Sequence, residues 1–495
     1  MVKSVPHGMW DYMMTTNLQS PPAPIDPQSP AARRAKWFGW WFYLTVIVVA
    51  PFALILMAAV GVYVWWKLAD AKAAADVKAE VARIQAAGEP VTIYDLYAWH
   101  RVPEGTTDTT PLWLTALTMV DAIPIAHTKY MDVPIVGGNS KEVETLAVDH
   151  PQTTLDLADE FLKVNDGTVQ AVLAAANAEG ECRLPVAFEA GARALISTQR
   201  ARSVARVMSL RTRVAVAQGN SDAAVESIEA NLALIRAIDH QPWVVDQLVR
   251  IAIISVAMSD IEQLLNNADL TEEQLARLQS NLQTLDIQNS FTHSLIGERG
   301  VGYHGFHQFP TPPPPGAPPA TDPMAGGKLI RPADCQFFLE LMQEYIDASR
   351  QPLPKSIDDS KQIAARVQSV AQSTNPLDRM RYVLSMQVVP ATEAAIAASA
   401  RAQALRNLNL AAIAAERYRL AHGEYPPDLK ALGELLSAVP LDPYDGQPLR
   451  VVRKEGELVL YSIGQDGRDD GGQDPEDRNQ PDIVVRLAKP PPTKP

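Results

Sequence analysis

The longest apolar pattern in the chain runs from Trp37 to Trp66 and contains no charged side chain. As one helix it would extend about 45 Å, which exceeds the roughly 30 Å hydrocarbon core of a bilayer. Tryptophans stand at both ends, and indole rings favour the level of the lipid headgroups. Because a buried core helix rarely lacks a polar face over such a length, the pattern predicts a transmembrane helix over residues 37–66.

Basic residues flank this segment mainly on its N-terminal side, at Arg33, Arg34 and Lys36. The positive-inside tendency therefore places the N-terminus in the cytoplasm and the bulk of the chain in the periplasm or outside the cell. A cleaved signal peptide is the alternative, since residues 69–71 have the small-x-small form of a cleavage site. The apolar run is much longer than a signal-peptide core, which favours an uncleaved anchor in the cytoplasmic (inner) membrane.

Helical spacing dominates the pattern after the apolar segment. Residues 67–87 are rich in alanine and alternating charge, which predicts that the helix continues outward as a stalk. From about residue 152 to 285, apolar residues recur at steps of three and four and predict a series of helices. The turn residues Gly219 and Asn220 predict an antiparallel αα-hairpin.

Two local signals refine this helical region. Val244–Met258 is apolar nearly all round, yet it is too short and too charged for a second span, so we expect a central buried helix. Thr271-x-x-Gln274 has the form of a capping box, which predicts the start of another helix.

A proline-rich run and a change in residue pattern near the C-terminus divide the rest of the chain. Proline cannot continue a helix, so the run PTPPPPGAPPATDP predicts an extended loop. The predicted organisation is a disordered cytoplasmic tail (1–36), a transmembrane helix (37–66), a stalk and helical domain (67–300), a proline-rich loop (301–330), further helices (331–390) and a C-terminal module (391–495).

The C-terminal module combines one long helix with short strands. An alanine-rich helix at Ala391–Arg419 precedes predicted strands at Leu449–Arg453, Leu458–Ile463 and Ile483–Leu487. A helix packed on a small antiparallel sheet is an α+β arrangement. The predicted fold class is therefore mainly α, with a transmembrane helix, a helical extracytoplasmic domain and a small α+β module.

Four motifs of this module, RYRLAHGEYPPDL, DPYDGQPL, LYSIGQDGRDDGG and PDIV, have the order found in type II secretion major pseudopilins. Residues 391–495 thus resemble the globular domain of that family, and the resemblance implies its fold. It also implies a calcium ion in the loop after the Tyr-Ser strand, where Asp466 is the matching residue. In that family a membrane helix is continuous with the globular domain, whereas here the predicted span lies about 330 residues upstream, so the resemblance implies a fold and not pilus assembly. The region before the module resembles uncharacterised bacterial membrane-anchored proteins.

The loop that contains Asp466 is rich in glycine and acidic residues. Asp469, Asp470 and Asp474 are further candidate ligands by their chemistry and position. Calcium takes about six to eight oxygen ligands, and carboxylates on a flexible loop suit it. The alternative is a solvated acidic loop that binds no ion.

The net charge bears on the class of binding partner, and the two cysteines bear on disulfide formation. The net charge is −13 and no basic run lies beyond the membrane flank, which argues against nucleic acid as a partner. The expected partners are the membrane and proteins of the cell envelope. A disulfide between Cys182 and Cys335 is permitted outside the cytoplasm, and the sequence leaves open whether it forms.

A group of histidines precedes the proline run, with His293, His304 and His307 near Glu298. Histidines at such spacing can bind a metal, and surface histidines without a metal are the alternative. The glycines at 300–305 match a dinucleotide fingerprint by letters, but no strand precedes them. The predicted function is a non-catalytic interaction or scaffold protein anchored in the membrane, linked to secretion by the pseudopilin resemblance. A metal-assisted hydrolase that uses these histidines is the alternative.

Overall fold

A computed structural model describes residues 30–123, 129–137, 152–189, 196–308, 332–372, 382, 385–454, 456–473 and 482–488. The chain forms two compact units, Met1–Ala71 and Lys72–Pro495. The described part is mainly α-helical and has a small three-stranded sheet near its C-terminal end, which confirms the predicted helical class.

The first unit is dominated by a long apolar helix. It begins as α1 (Pro30–Tyr43), passes through a π-helical stretch (Leu44–Val49) and continues as α2 (Ala50–Ala86). The π-helical stretch lies just before Pro51, whose ring has no amide hydrogen and clashes with the preceding turn, so the helix widens there. Among the described residues, one helix is long and apolar enough to cross a membrane, and none of its apolar window is buried.

Helices make up most of the second unit, which also includes the C-terminal part of α2. In chain order these are α3 (Ile93–Trp99), α4 (Thr110–Met119), α5 (Gln152–Val164), α6 (Asp166–Ala176), α7 (Ile196–Ala217), α8 (Ser221–Ala237), α9 (Val244–Asn267), α10 (Glu272–Gln283), α11 (Ile287–Gln308), α12 (Pro332–Ser349), α13 (Lys355–Ala371) and α14 (Ser385–His422). Short 3₁₀ turns lie at Val120–Ala122, Lys129–Asp132 and Leu429–Leu432. The predicted capping box forms at the start of α10, where the Gln274 amide donates to Thr271 Oγ1 at 3.2 Å.

α9 is the central helix of this unit, as predicted, and it packs against α7, α8, α11 and α14. α7 and α8 form the predicted hairpin, which turns at Gly219 with a φ of +70°. Three charged residues of α9, Asp246, Arg250 and Asp260, are buried with partners. Asp260 Oδ1 accepts hydrogen bonds from Ser209 Oγ at 2.9 Å and Arg213 Nε at 3.1 Å, while Arg250 Nε donates to a backbone carbonyl.

The sheet has the order β1-β2-β3 and is antiparallel throughout. Its strands are β1 (Arg450–Lys454), β2 (Glu457–Ser462) and β3 (Ile483–Leu487). β2 is the central strand and is buried along most of its length. α14 packs against β2 and β3, so the helix and the sheet form two packed layers. This agrees with the predicted α+β arrangement, and β3 has the predicted bounds.

Residues 67–300 and residues 391–495, which the sequence predicts as separate regions, share one hydrophobic core. One cluster of buried side chains joins α4–α10 with α14 and the sheet. Hydrogen bonds also cross the predicted boundary: Asn266 Nδ2 donates to the Arg486 carbonyl, and the Ala488 amide donates to Asn266 Oδ1, both at 2.8 Å. The apolar faces of α14 and α9 are buried against each other. Sequence periodicity indicates each face but does not indicate which faces pair.

One predicted boundary is corrected, and the state of the two cysteines, which the sequence leaves open, is visible. The proline-rich loop was predicted to begin at residue 301, but α11 continues to Gln308, because no proline interrupts the helix before that point. The remaining part of the predicted loop, and residues 1–29 of the predicted tail, lie outside the described residues. Cys182 and Cys335 are free buried thiols in different core clusters, so the permitted disulfide is not formed.

Candidate functional site

The turns that carry the pseudopilin-like motifs are organised around Asp442, whose side chain is fully buried. Its Oδ1 accepts hydrogen bonds from Ser462 Oγ at 2.8 Å and from the Tyr444 amide at 3.0 Å. Its Oδ2 accepts from the Ile463 amide at 2.9 Å and from Arg450 Nη1 at 3.0 Å. These hydrogen bonds connect the DPYDGQPL motif to the LYSIGQDG motif, since Asp442 belongs to the first and Ser462 to the second.

Arg450 extends this network into the acidic loop after β2. Its Nη2 donates to Asp445 Oδ2 at 2.5 Å and its Nε donates to Asp469 Oδ2 at 3.1 Å. Asp469 Oδ1 accepts from the Tyr461 hydroxyl at 3.1 Å and from the Gly471 amide at 3.0 Å. Partial burial opposes ionisation of Asp469, but the Gly471 amide, Tyr461 and Arg450 outweigh it and lower its pKa.

The other predicted ligands make fewer contacts than Asp469 does. Asp466 and Asp470 are exposed, and Asp466 Oδ1 accepts from the Arg468 amide at 3.0 Å, a local Asx turn. Asp474 lies outside the described residues. Within the described ranges, no three His, Cys, Asp or Glu side chains are already arranged to hold a metal ion. The structure therefore places three predicted ligands on one short loop without closing a coordination shell.

Asp482 is a candidate ligand that sequence reasoning missed. It precedes β3 in the PDIV motif and is 6% exposed. Its Oδ2 accepts from the Gly472 amide at 2.8 Å, whereas its Oδ1 is buried and has no hydrogen-bond partner among the described residues. Burial, and then the negative charges of Asp470 and Asp469, raise the pKa of Asp482 against the opposing effect of nearby amides. A divalent cation would satisfy this oxygen and offset the repulsion.

The loop is held close to β2 by glycine. Gly471 and Gly472 have φ angles of +71° and +64°, in the left-handed region that favours glycine. A Cβ on Gly472 would lie 2.9 Å from the Tyr461 ring. The Asp482 carboxylate can therefore reach the Gly472 amide only because this position has no side chain.

The histidines of the alternative site do not converge. His293 and His304 both lie on α11, and eleven residues of helix separate them by about 16 Å along its axis. The His293 ring stacks on Trp99 with centroids 3.7 Å apart and meets the edge of His240 at 5.1 Å. Burial, followed by the charge of His240, lowers the pKa of His293 to about 3. The His307 side chain lies outside the described part of the structure.

Glu298 has a structural partner instead of a metal-binding arrangement. It accepts a hydrogen bond at 3.3 Å from the amide of Val244, the first residue of α9. Burial, and then the nearby Asp246, raise the pKa of Glu298 to about 7. Its hydrogen bond satisfies one of the free amides that every helix N-terminus presents.

Two of the three glycines at 300–305 serve helix packing. All lie within α11, so no nucleotide-binding turn forms. A Cβ on Gly300 would lie 2.9 Å from Leu96, and a Cβ on Gly302 would lie 2.2 Å from the ring of Phe338. These two positions let α11 approach α3 and α12 closely.

Comparison of the chain with protein-family models, with curated proteins and with solved structures found no match in any of the three. The resemblance to pseudopilins thus stays a prediction that rests on the four motifs. The described residues of those motifs form the end of α14, the turns around Asp442, the sheet and the acidic loop.

Proposed function

We propose that this protein is an interaction or scaffold protein anchored in the inner membrane, with residues 72–495 on the periplasmic side. The observation that carries the proposal is the uniform exposure of the apolar helix. Trp37, Phe52 and Trp65 are 70%, 68% and 67% exposed, although soluble proteins seldom leave so large an apolar surface in water. A bilayer would cover this surface and place the tryptophans near its two faces.

Alkaline carbonate extraction tests the anchor. We expect the wild-type protein to stay in the membrane pellet. Aspartate at the positions of both Leu54 and Leu56 should release it, since each charge near the middle of a span costs about 2.5–3.5 kcal/mol. An exposed control substitution outside the segment, Ser203→Cys, should stay in the pellet. Complete extraction of the wild-type protein would exclude an integral anchor.

Cysteine labelling in spheroplasts tests the orientation. Cys182 and Cys335 are buried, so they provide a low background for a membrane-impermeant maleimide. We expect Ser203→Cys, at an exposed position of α7, to react in intact spheroplasts. Ser4→Cys should react only after lysis. The reverse pattern would show that the bulk of the chain is cytoplasmic.

We propose further that the acidic loop after β2 binds calcium. Asp466, Asp469, Asp470 and Asp482 supply the carboxylate oxygens that this ion prefers. The buried Oδ1 of Asp482 has no hydrogen-bond partner in the part of the chain that the structure describes, and this supports the proposal together with the burial and the repulsion that raise its pKa. The ion would supply positive charge to the loop and hold it against β2 and β3.

Thermal unfolding of the detergent-solubilised full chain tests the calcium site. Calcium that binds only the folded state stabilises it by about 2.7 kcal/mol at a hundred times the dissociation constant. We expect calcium to raise Tm relative to chelator, and we expect Asp482→Asn or Asp466→Ala to abolish the rise. Asp428→Asn, an exposed residue outside the loop, is the matched control. A rise that survives Asp482→Asn would place the ion elsewhere.

A further inference from the structure

A cavity of about 270 Å³ lies among the ends of α6 and α8, the start of α4 and the segment at residues 178–183. One part of its wall is apolar, formed by Trp113 and by alanines of α6 and α8. The other part is charged, with Glu181, Arg183, Arg236 and Asp239. Since ligand pockets usually measure about 300–1,000 Å³, this volume suits a small metabolite.

The wall formed by residues 178–183 is fixed in place. The Thr109 amide donates to the Glu181 carbonyl and the Glu181 amide donates to the Thr107 carbonyl, both at 2.9 Å. Gly180 has a φ of +145°, and a Cβ there would lie 2.2 Å from the Thr107 carbonyl oxygen. The cavity therefore has a preformed wall, which reduces the ordering cost of binding.

The charges of the cavity are unevenly paired. Arg183 forms an ion pair with Glu181 at 2.6 Å, and Asp239 contacts the ring of His240. Arg236 makes one hydrogen bond, from Nη1 to Thr284 Oγ1 at 3.3 Å, and has no carboxylate in an ion pair among the described residues. Burial is the largest influence on Arg236 and lowers its pKa, against the weaker effect of Asp239 and Glu229. A partly buried guanidinium without a counterion favours an anionic ligand group.

Another part of the cavity wall favours a positively charged ligand group. α6 and α8 both end at the cavity, and the C-terminal ends of helices favour positive charge. The carboxylate of Asp239 adds to this preference. A ligand with two negative charges would be repelled by Asp239 and Glu181, and an uncharged ligand would leave Arg236 without a counterion.

We propose that this cavity binds a free α-amino acid with an apolar side chain. Its carboxylate pairs with Arg236, and its ammonium group lies near Asp239 and the carbonyl ends of α6 and α8. Its side chain packs against Trp113 and the neighbouring alanines. The inference is independent of the calcium loop, because it uses none of the same residues.

Calorimetric titration of the full chain in detergent with each standard amino acid tests the ligand class. We expect at least one apolar amino acid to bind and to raise Tm. Propionate and propylamine, which each lack one of the two charges, should bind at least about tenfold more weakly, the effect of losing one charged hydrogen bond. If no amino acid binds at about 10 mM, or if propionate binds as tightly as the best amino acid, the proposal fails.

Variants test the location. Arg236→Gln should weaken binding about tenfold or more, while Arg202→Gln, an exposed arginine of α7, should leave it unchanged. Ala176→Leu, at a half-exposed position of the wall, should block binding and leave the Tm of the unliganded protein nearly unchanged. The Tm of unliganded Ala176→Leu reports whether the variant folds. Weak binding together with an unchanged Tm therefore means that the site is blocked and the fold is intact. Wild-type affinity in both Arg236→Gln and Ala176→Leu would overturn the assignment.

Discussion

At the scale of single residues, the buried carboxyl groups differ in how fully they are hydrogen bonded. Asp442 accepts four hydrogen bonds, one of them from Arg450, so both of its carboxylate oxygens have partners away from water. Glu298 accepts one long hydrogen bond and lies near Asp246, so its neutral form is favoured. Asp442 therefore stabilises the fold as the acceptor of a connected hydrogen-bond network, whereas Glu298 stabilises it in its neutral form.

Replacing Asp442 should unfold the turns that connect the motifs. Asp442→Ala leaves Arg450 Nη1, Ser462 Oγ and two backbone amides without this acceptor, and breaking such a buried network costs about 3–5 kcal/mol. Urea denaturation in the presence of chelator measures the loss. Asp466→Ala, which removes one hydrogen bond from an exposed side chain, should cost less than about 1 kcal/mol. Equal losses for the two variants would contradict the central role of Asp442.

The effect of Glu298 on stability should depend on pH. Its pKa rises from 4.5 to about 7 on folding, so between these values the unfolded chain releases a proton that the folded chain keeps. Stability from this group is complete below about pH 4.5 and is lost as the pH rises towards 7. Glu298→Gln should be nearly neutral at about pH 4 and stabilising by roughly 1–3 kcal/mol at about pH 8.

Chemical denaturation at both pH values checks this sign. Glu434→Gln, at an exposed position, should change stability little at either pH. A Glu298→Gln variant that is less stable than the wild type at about pH 8 would show that the ionised carboxylate is favoured in the fold.

At the scale of elements, the sequence predicts best those features whose signal lies within a few neighbouring residues. Thr271 and Gln274 predict the start of α10, and the short run of β-branched residues in Ile483–Leu487 predicts β3, because both signals are complete within a few residues. The role of Asp482 depends on Gly472, which only the folded loop brings next to it. The cavity with Arg236 is built by several elements, so no spacing in the chain indicates it.

The glycines of α11 provide a matched test of close helix packing. A Cβ on Gly297 would lie 2.2 Å from the backbone oxygen of Pro242, which cannot move away alone, whereas a Cβ on Gly305 would meet nothing within 4 Å. We expect Gly297→Ala to destabilise the protein by about 1–3 kcal/mol. Gly305→Ala should stabilise it by up to about 1 kcal/mol, because alanine favours the helix. Thermal unfolding of the two variants measures both effects, and a neutral Gly297→Ala would contradict the packing.

At the scale of the whole molecule, the second unit has a core that both halves of its chain complete. Buried side chains of α4–α10 and of α14 with the sheet belong to one cluster. Side chains also connect these parts at the surface, as when Arg417 Nε donates to Glu272 Oε1 at 2.8 Å. The pseudopilin-like segment is thus a layer of a larger body.

This arrangement predicts that the segment does not fold alone. A fragment of residues 385–495 would expose the face of α14 that packs on α9 and α10. We expect it to lack a cooperative urea transition and a near-ultraviolet circular dichroism signal. The fragment Lys72–Pro495, a compact unit, should show both. A cooperative transition in the shorter fragment would mean that the segment is an autonomous domain.

The hydrogen bond from Asn266 to the Arg486 carbonyl spans 220 residues and has a consequence for biosynthesis. At typical ribosome speeds of about 5–20 residues per second, α9 is made roughly 10–45 s before the strand that covers it. During this interval the apolar face of α9 stays open to aggregation, to proteases and to holding chaperones. If residues 72–495 cross the membrane in chain order, as the proposed orientation requires, the second unit can complete its core only after residue 487 has left the translocation channel. Export factors that delay collapse are then part of the conditions under which this protein reaches its fold.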